Sequence, residues 1–241
     1  AGPLPRSKEG YRYICGIACG KADETKMYPI KRKSDAVLAL KKYILDHNLK
    51  YRMRLRIVQC DGGGEFISDE IDAFKGLCTT IGAKVNISAP HNQAQNGKIE
   101  RKWRFYKDAM RIMLRAAKQP AAMWPYALQT AVYTLNRIPH RMNNWISPYQ
   151  LTTGNKASIA HLRKWGTPCV VKAEKKEHGL SPKGREGVFI GYSADHAEGV
   201  YLVLMLDTKR VVASKNVWFK SKDVRDNMTN FNTVLEKHNV A

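Results

Sequence analysis

The 241-residue chain is short of acid and lacks any long apolar run. Asp and Glu number 21 against 41 Lys and Arg, giving a formal net charge of +20 and a pI near 9.8. An excess of this size disfavours a basic partner and is the electrostatic footprint for a polyanion, nucleic acid first. No apolar stretch approaches the ~20 residues that a transmembrane helix needs. No signal peptide precedes the first strand. A membrane is therefore not expected as a partner, and the chain is expected to be soluble and intracellular. Cysteine is sparse: Cys15, Cys19, Cys60, Cys78 and Cys169 form an odd set without C-x-x-C spacing. That indicates neither a disulfide framework nor a zinc module, so no zinc is expected and reduced core thiols are. The seven histidines are scattered, and none forms an H-x-x-x-H that pairs with a C-x-x-C. An initiating Met is also missing, so the start reads as a truncation.

What is present has room for two modest domains. Tyr11 to Cys19 and Lys26 to Lys31 read as neighbouring strands, and Lys31-Arg32-Lys33 as a solvated turn rather than a nuclear-localisation fragment. Ser34 is expected to cap a crossover helix in which Val37, Leu38, Leu40, Ile44 and Leu45 keep helical period up to Asn48. Arg52 to Gln59 suits a strand. Ser68 to Ile81 reads as a helix with Ile71, Phe74, Leu77, Cys78 and Ile81 inward and Gly82 as its stop. Asp69, Glu70 and Asp72 lie in its first turn, where they complement the helix dipole rather than act as ligands. Lys84 to Ser88 is a short strand, 89–96 a polar loop, and Met123 to Arg137 a helix with Trp124, Leu128, Ala131, Val132 and Leu135 as core. Residues 138–160, rich in Asn, Thr, Ser and Pro, read as a linker. Thr167 to Ala173, Gly187 to Tyr192, Val200 to Leu206 and Arg210 to Phe219 then suggest a small curled sheet or SH3-like barrel, with a polar tail after Lys222.

The stretch from Asp61 to Lys118 carries the chemistry. Asp61 follows the strand-like run Leu55, Ile57, Val58, and three glycines after it free the carboxylate from the sheet. Glu100 is expected to open a helix that begins near Gly97. Two such carboxylates brought together by the fold suit Mg2+, a hard cation held by one or two carboxylates plus substrate phosphates. Lys98, Arg101, Arg104, Lys107, Arg111, Arg115 and Lys118 recur at steps of three or four. Glu100, Arg104, Lys107 and Arg111 thus share a stripe, with Trp103, Tyr106, Met110 and Met113 available to the core. Only Asp108 interrupts the basic stripe. Unpaired like charge on a helix destabilises it unless an anion neutralises it, which points to phosphates. Competing structural readings make Asp61 a D-G turn residue, Glu65 a helix-initiating residue and Asn96 a cap; Asn96 could instead contact DNA. Lys172, Lys175, Lys176, Lys183 and Arg185 could form a second DNA contact.

Asp61-Gly-Gly-Gly-Glu65-Phe66 and Pro90-His91-Asn92-Gln93-Ala94-Gln95-Asn96-Gly97-Lys98-Ile99-Glu100-Arg101 resemble the D-x-G-x-E-[FY] and P-H-x-x-Q-x-N-G-x-x-E-R segments of the integrase of copia-type LTR retrotransposons. The resemblance continues through Ser147-Pro-Tyr-Gln-Leu and His161-Leu-Arg-Lys-Trp-Gly to Gly187-Val-Phe-Ile-Gly-Tyr and Val211 to Phe219. It implies an α/β, RNase H-like mixed sheet flanked by helices over 1–140, a linker over 141–160, an all-β SH3-like domain over 161–223 and a polar tail over 224–241. It implies D-D-E phosphoryl transfer with two Mg2+ or Mn2+ ions, held by Asp61 and Glu100. DNA would be held by Asn96, Lys98, Arg101, Arg104, Lys107 and Arg111, with a homo-oligomer as the working unit, in the nucleus. Three departures stand out. The family's first Asp would fall two places before Ala1. The 38 residues between Asp61 and Glu100 slightly exceed the family's usual spacing, and Cys19 stands where an Asp is common. The chain as given is therefore expected to bind DNA with little or no integrase activity. The alternatives are a non-catalytic remnant or domesticated DNA-binding module, and a host RNase H-like nuclease, which the C-terminal sheet does not fit.

Overall fold

A computed structural model describes residues 2–51, 55–60, 69–87, 93–173, 183–194 and 198–220. The chain divides into two compact units, Ala1–Leu162 and Arg163–Ala241. In the first, β1 (Tyr13–Ala18) and β2 (Thr25–Ile30) pair antiparallel from Tyr13↔Ile30 to Ala18↔Thr25. Strand side chains alternate with period two, so paired residues share a face. Ile17 and Tyr28 face one side and pack with Leu40, Tyr43 and Ile44 of α1 (Ala36–Tyr51). Ile14, Met27 and Thr25 face the other side and are buried.

β3 (Ile57–Cys60) and β4 (Lys84–Ile87) run parallel, joined by α2 (Asp69–Thr80), a β-α-β unit. Phe74 and Cys78 of α2 are buried against α1, with Leu77 and Ile81 packed beside them, and Gly82 turns the chain at φ 69°. The inward set expected for this helix holds at these four positions.

Two expectations about helix starts change. Ser34 does not cap α1. It lies inside a 3-10 turn (Lys33–Asp35), which the Asp35 carboxylate ties to the chain before it by accepting the backbone N–H groups of Lys31 and Arg32 at 3.2 and 3.0 Å. The basic helix α3 spans Gln93–Ala116, so Asn96 and Gly97 lie within it and Glu100 stands about two turns from its start. Gln and Ala at its first positions are good helix formers, and one internal glycine costs only ~1 kcal/mol.

α4 (Trp124–Leu135) buries Trp124, Leu128, Ala131 and Val132, with Leu135 half-buried. The stretch expected as a linker carries α5 (Pro148–Thr153). Ser147 accepts the N–H of Gln150 at 3.2 Å, Pro148 takes the first helical position, and Gly154 closes the helix at φ 77°. Ser147, Pro148 and Thr152 are buried, so this segment is part of the first unit.

The second unit is one antiparallel sheet of β5 (Pro168–Lys172), β6 (Gly184–Tyr192), β7 (Tyr201–Met205), β8 (Val211–Ser214) and β9 (Val217–Phe219), in the order β8-β7-β6-β5-β9. The single strand expected over Arg210 to Phe219 splits at Lys215-Asn216, and its halves lie on opposite edges. Five strands at ~4.8 Å would set flat edges ~19 Å apart. The three Cα steps from Ser214 to Val217 reach at most ~11 Å. The sheet must therefore curl on itself, which makes it the expected barrel. Phe189 fills its centre, edge-on to Tyr192, Tyr201 and Phe219 at 5.1, 5.8 and 5.7 Å. A register shift between Phe189 and Gly191 bends β6.

Candidate nucleic-acid interface and metal site

α3 is two-sided. Tyr106 and Met110 are buried and Trp103 and Met113 half-buried. Glu100, Arg101, Arg104 and Arg111 are exposed, with Lys107 half-buried. The acidic-basic stripe expected from the spacing therefore lies toward solvent, beside the expected core residues, with Lys107 at the boundary. The side chains of Asn96 and Lys98 lie outside the described residues, although both positions belong to α3. Arg111 pairs with Asp108 at 3.2 Å, and both side chains are more than half exposed, so the pair is weak. Phe105 and Ile112 are also exposed on this helix, which its charge pattern alone did not indicate.

The helix is fixed to the hairpin by a residue that sequence reading passed over. The Lys102 ammonium donates to the Asp23 carbonyl at 2.6 Å and the Thr25 hydroxyl at 2.8 Å, and sits 3.0 Å from Asp23 Oδ1. Asp23 stands at φ 56°, a left-handed conformation that Asp tolerates. Its Oδ2 lies 3.2 Å from His140 Nε2. From α4's end, the Asn136 amide brackets Thr25, accepting its N–H at 3.0 Å and donating to its carbonyl at 2.7 Å.

Beside this hub is a buried ionic pair. His47 Nδ1 faces the Tyr43 carbonyl at 3.0 Å and Nε2 faces Glu24 Oε2 at 2.9 Å. An ionised carboxylate and a carbonyl are both acceptors only, so the ring sits between two acceptors, one at each nitrogen. Burial pushes the Glu24 carboxyl up, but the His47 hydrogen bond and the Lys26 ammonium at 3.2 Å outweigh it and hold the group below the usual carboxylate range. Only the tertiary fold brings residues 24 and 47 together. No local pattern announces them.

For a metal, Glu100 offers hard oxygen donors and makes no hydrogen bond or ion pair with a described residue. Asp61 and Glu65 lie outside the described residues. Cys60, immediately before Asp61, pairs in parallel register with Ile87, so the chain leaves β3 and β4 at the same edge, and α3 follows from the latter. Open α/β sheets place ligands beyond the carboxyl ends of parallel strands. Glu100 therefore fits a divalent cation by the chemistry of its donors. Among the described residues no three His, Cys, Asp or Glu side chains converge. Cys19, which stands where an Asp is common in the resembled family, accepts the Ala22 N–H at 3.5 Å. Among the described residues no helix is long and apolar enough to cross a membrane.

Residues 167–233 match the family described as the retroviral polymerase SH3-like domain. The chain is 32% identical over 217 residues to the retrovirus-related Pol polyprotein from transposon RE1 of Arabidopsis thaliana, covering 88% of the chain and 14% of the relative. It is 28% identical over 226 residues to the corresponding polyprotein from transposon TNT 1-94 of Nicotiana tabacum, covering 93% of the chain and 17% of the relative. The chain thus spans only a small part of the curated relatives' length. A chain from the cryoEM structure of the simian T-cell lymphotropic virus intasome in complex with PP2A regulatory subunit B56 gamma shares the fold. Its TM-score is 0.51 at 17% identity, over 91% of this chain and 76% of that one. The α/β unit followed by an SH3-like β unit is the architecture expected from the sequence.

Proposed function

We propose that this chain, which belongs to the retrovirus-related Pol polyproteins of copia-type transposons, is the catalytic-core and SH3-like portion of an integrase. In this reading it binds DNA along the outer face of α3 and holds Mg2+ or Mn2+ with Asp61 and Glu100. The observation that carries the reading is the exposed face of α3, where Glu100 is followed at steps of four, three and four by Arg104, Lys107 and Arg111. A carboxylate with cations one and more turns farther along can present a hard cation and neutralise the phosphates that the cation contacts. Arg101, Lys98 and Asn96 add donors toward the same backbone. When bound, two divalent ions supply charge stabilisation at the attacking and leaving oxygens of an in-line displacement. The remaining carboxylate of the D-D-E pattern would, by the resemblance, fall two positions before Ala1. The working unit in this reading is a homo-oligomer that holds element ends and target DNA in the nucleus.

The test is strand transfer with Mn2+ on a chain extended to include that Asp. Glu100→Gln lowers the rate by about 100-fold or more, the several kcal/mol that metal-based charge stabilisation contributes. Asp72→Asn, a change in the exposed first turn of α2, leaves it unaltered. Retained activity in Glu100→Gln would overturn the assignment. A second reading is a DNA-binding module without catalysis, in which the basic face of α3 meets phosphates and no metal is held. DNA binding without any metal-dependent strand transfer in the extended chain would select it.

A further inference from the structure

Between α4 and α5 the chain closes a small hydrogen-bonded loop. His140 and Ile146 form an antiparallel bridge. The His140 carbonyl accepts the N–H groups of Asn143 and Trp145 at 3.0 and 3.1 Å, the Arg141 carbonyl that of Asn144 at 3.1 Å, and the Asn143 carbonyl that of Ile146 at 2.9 Å. To make these bonds, Asn144 and Trp145 both take positive φ, 52° and 60°. Asn tolerates that conformation, but for an indole-bearing residue it is an outlier with a steric cost. Packing does not repay the cost, because Trp145 is 70% exposed and Met142, three residues before it, 89%. The loop is also anchored, because His140 Nε2 lies 3.2 Å from Asp23 Oδ2 and that carboxylate is bound in turn by Lys102 of α3.

Charge decides what such a surface meets. None of the 65 residues between Asp108 and Glu174 is acidic, whereas Arg111, Arg115, Arg137, Arg141 and Lys156 lie within the stretch. Among the described residues the carboxylate paired with the loop is that of Asp23, which is mostly buried and also paired with Lys102. A second copy would bring the same positive charge to the contact and be repelled. A polyanion that also presents flat apolar faces is a nucleic acid with unpaired bases. In a duplex those faces are already stacked on one another, so an exposed indole gains most from a nucleotide outside the stack.

We propose that Trp145 is a stacking platform for an unpaired nucleotide, with Arg141, exposed on the same loop, contacting the adjoining phosphate. This rests on the DNA-binding reading above and adds a preference for single-stranded or frayed DNA at this loop. The hydrogen-bonded, strained loop holds the indole outward before the ligand arrives.

The experiment compares binding of the full chain to fluorescein-labelled oligothymidylate and to a duplex of equal phosphate number, by anisotropy. Trp145→Ala weakens oligothymidylate binding by about 10-fold, the scale of one base-aromatic stack, and leaves duplex affinity within about twofold. Trp145→Phe keeps most of the single-strand affinity. Trp145→Gly, which suits the positive φ, melts at or above the wild-type temperature yet loses the same single-strand affinity, so the loss cannot come from unfolding. Unchanged oligothymidylate binding in Trp145→Ala and Trp145→Gly, with duplex binding intact, would overturn the platform alone. A wild-type chain that binds neither DNA would overturn both the platform and the DNA-binding reading beneath it.

Discussion

Removing two cations from α3 tests the interface quantitatively. Arg101, Arg104, Lys107 and Arg111 are its described side chains assigned to phosphate contacts, and the weak exposed pair with Asp108 yields Arg111 readily. Each phosphate contact adds about −0.9 to the slope of log K against log salt, so four contacts give a slope of about −3.6. Raising salt fourfold, from about 50 to 200 mM, then weakens duplex binding about 150-fold. Arg104→Gln with Lys107→Gln leaves two contacts, a slope of about −1.8 and a loss of only about 12-fold over the same range. Anisotropy titrations of a labelled duplex at several salt concentrations read the slope directly. Lys41→Gln with Lys42→Gln is the control, because these exposed residues lie on α1, which covers the other face of the β1–β2 hairpin. Equal slopes in wild type and the α3 variant, or a slope reduced by the α1 variant instead, would refute the placement of DNA on α3.

The remaining predictions concern the supports of that face. Glu24→Ala leaves the buried His47 ring without its carboxylate partner, at a cost of about 3–5 kcal/mol, whereas Glu24→Leu with His47→Leu costs less than the single change. Urea unfolding of the three chains checks the order, and a single variant no worse than the double would contradict the ionic pair. The Glu24 carboxyl is held lower in the fold than in the unfolded chain. Its contribution is complete above the ordinary glutamate value of 4.5 and is lost as pH falls through the depressed folded value. Wild type therefore loses stability below about pH 4.5 more steeply than Glu24→Gln, and parallel declines would contradict this. In the second unit, Gly187→Ala drives a methyl into Val203 and against the Leu204 carbonyl. It destabilises the barrel by about 1–3 kcal/mol, read by the fluorescence of buried Trp165 during unfolding.

Local patterns were legible wherever they were also the ones that the tertiary structure used. Phe74, Leu77, Cys78 and Ile81 with Gly82 declared α2 because that helix both buries one stripe and ends on a left-handed glycine. The start of α3 was misplaced because Asn96-Gly97 has the composition of a helix boundary, yet the helix runs through it. α5 was hidden by the polar content of 138–160, although Ser147, Pro148 and Gly154 are cap signals in the right order. The candidate site divides the same way. The outer stripe of α3 follows from spacing, whereas Lys102 finds Asp23 across 79 residues and Glu24 finds His47 across 23. Contacts of that separation depend on which strands become neighbours, and no local spacing encodes it. The split of Arg210 to Phe219 into strands on opposite edges was likewise invisible, since both halves have strand composition.

That split makes the last strand of the barrel the partner of the first. Cys169, Val170 and Val171 of β5 pair with Phe219, Trp218 and Val217. The unit therefore closes only when some fifty residues of intervening chain are in place, which sets a high contact order and a slow final step. A truncation between Ser214 and Val217 would strip β5 of its neighbour and bare a row of backbone donors and acceptors, a template for joining another chain. A cut beyond Lys220, whose N–H reaches the Pro168 carbonyl at 2.9 Å, would leave β9 on β5. The position of a chain end by a few residues thus decides between a covered β5 and an adhesive one.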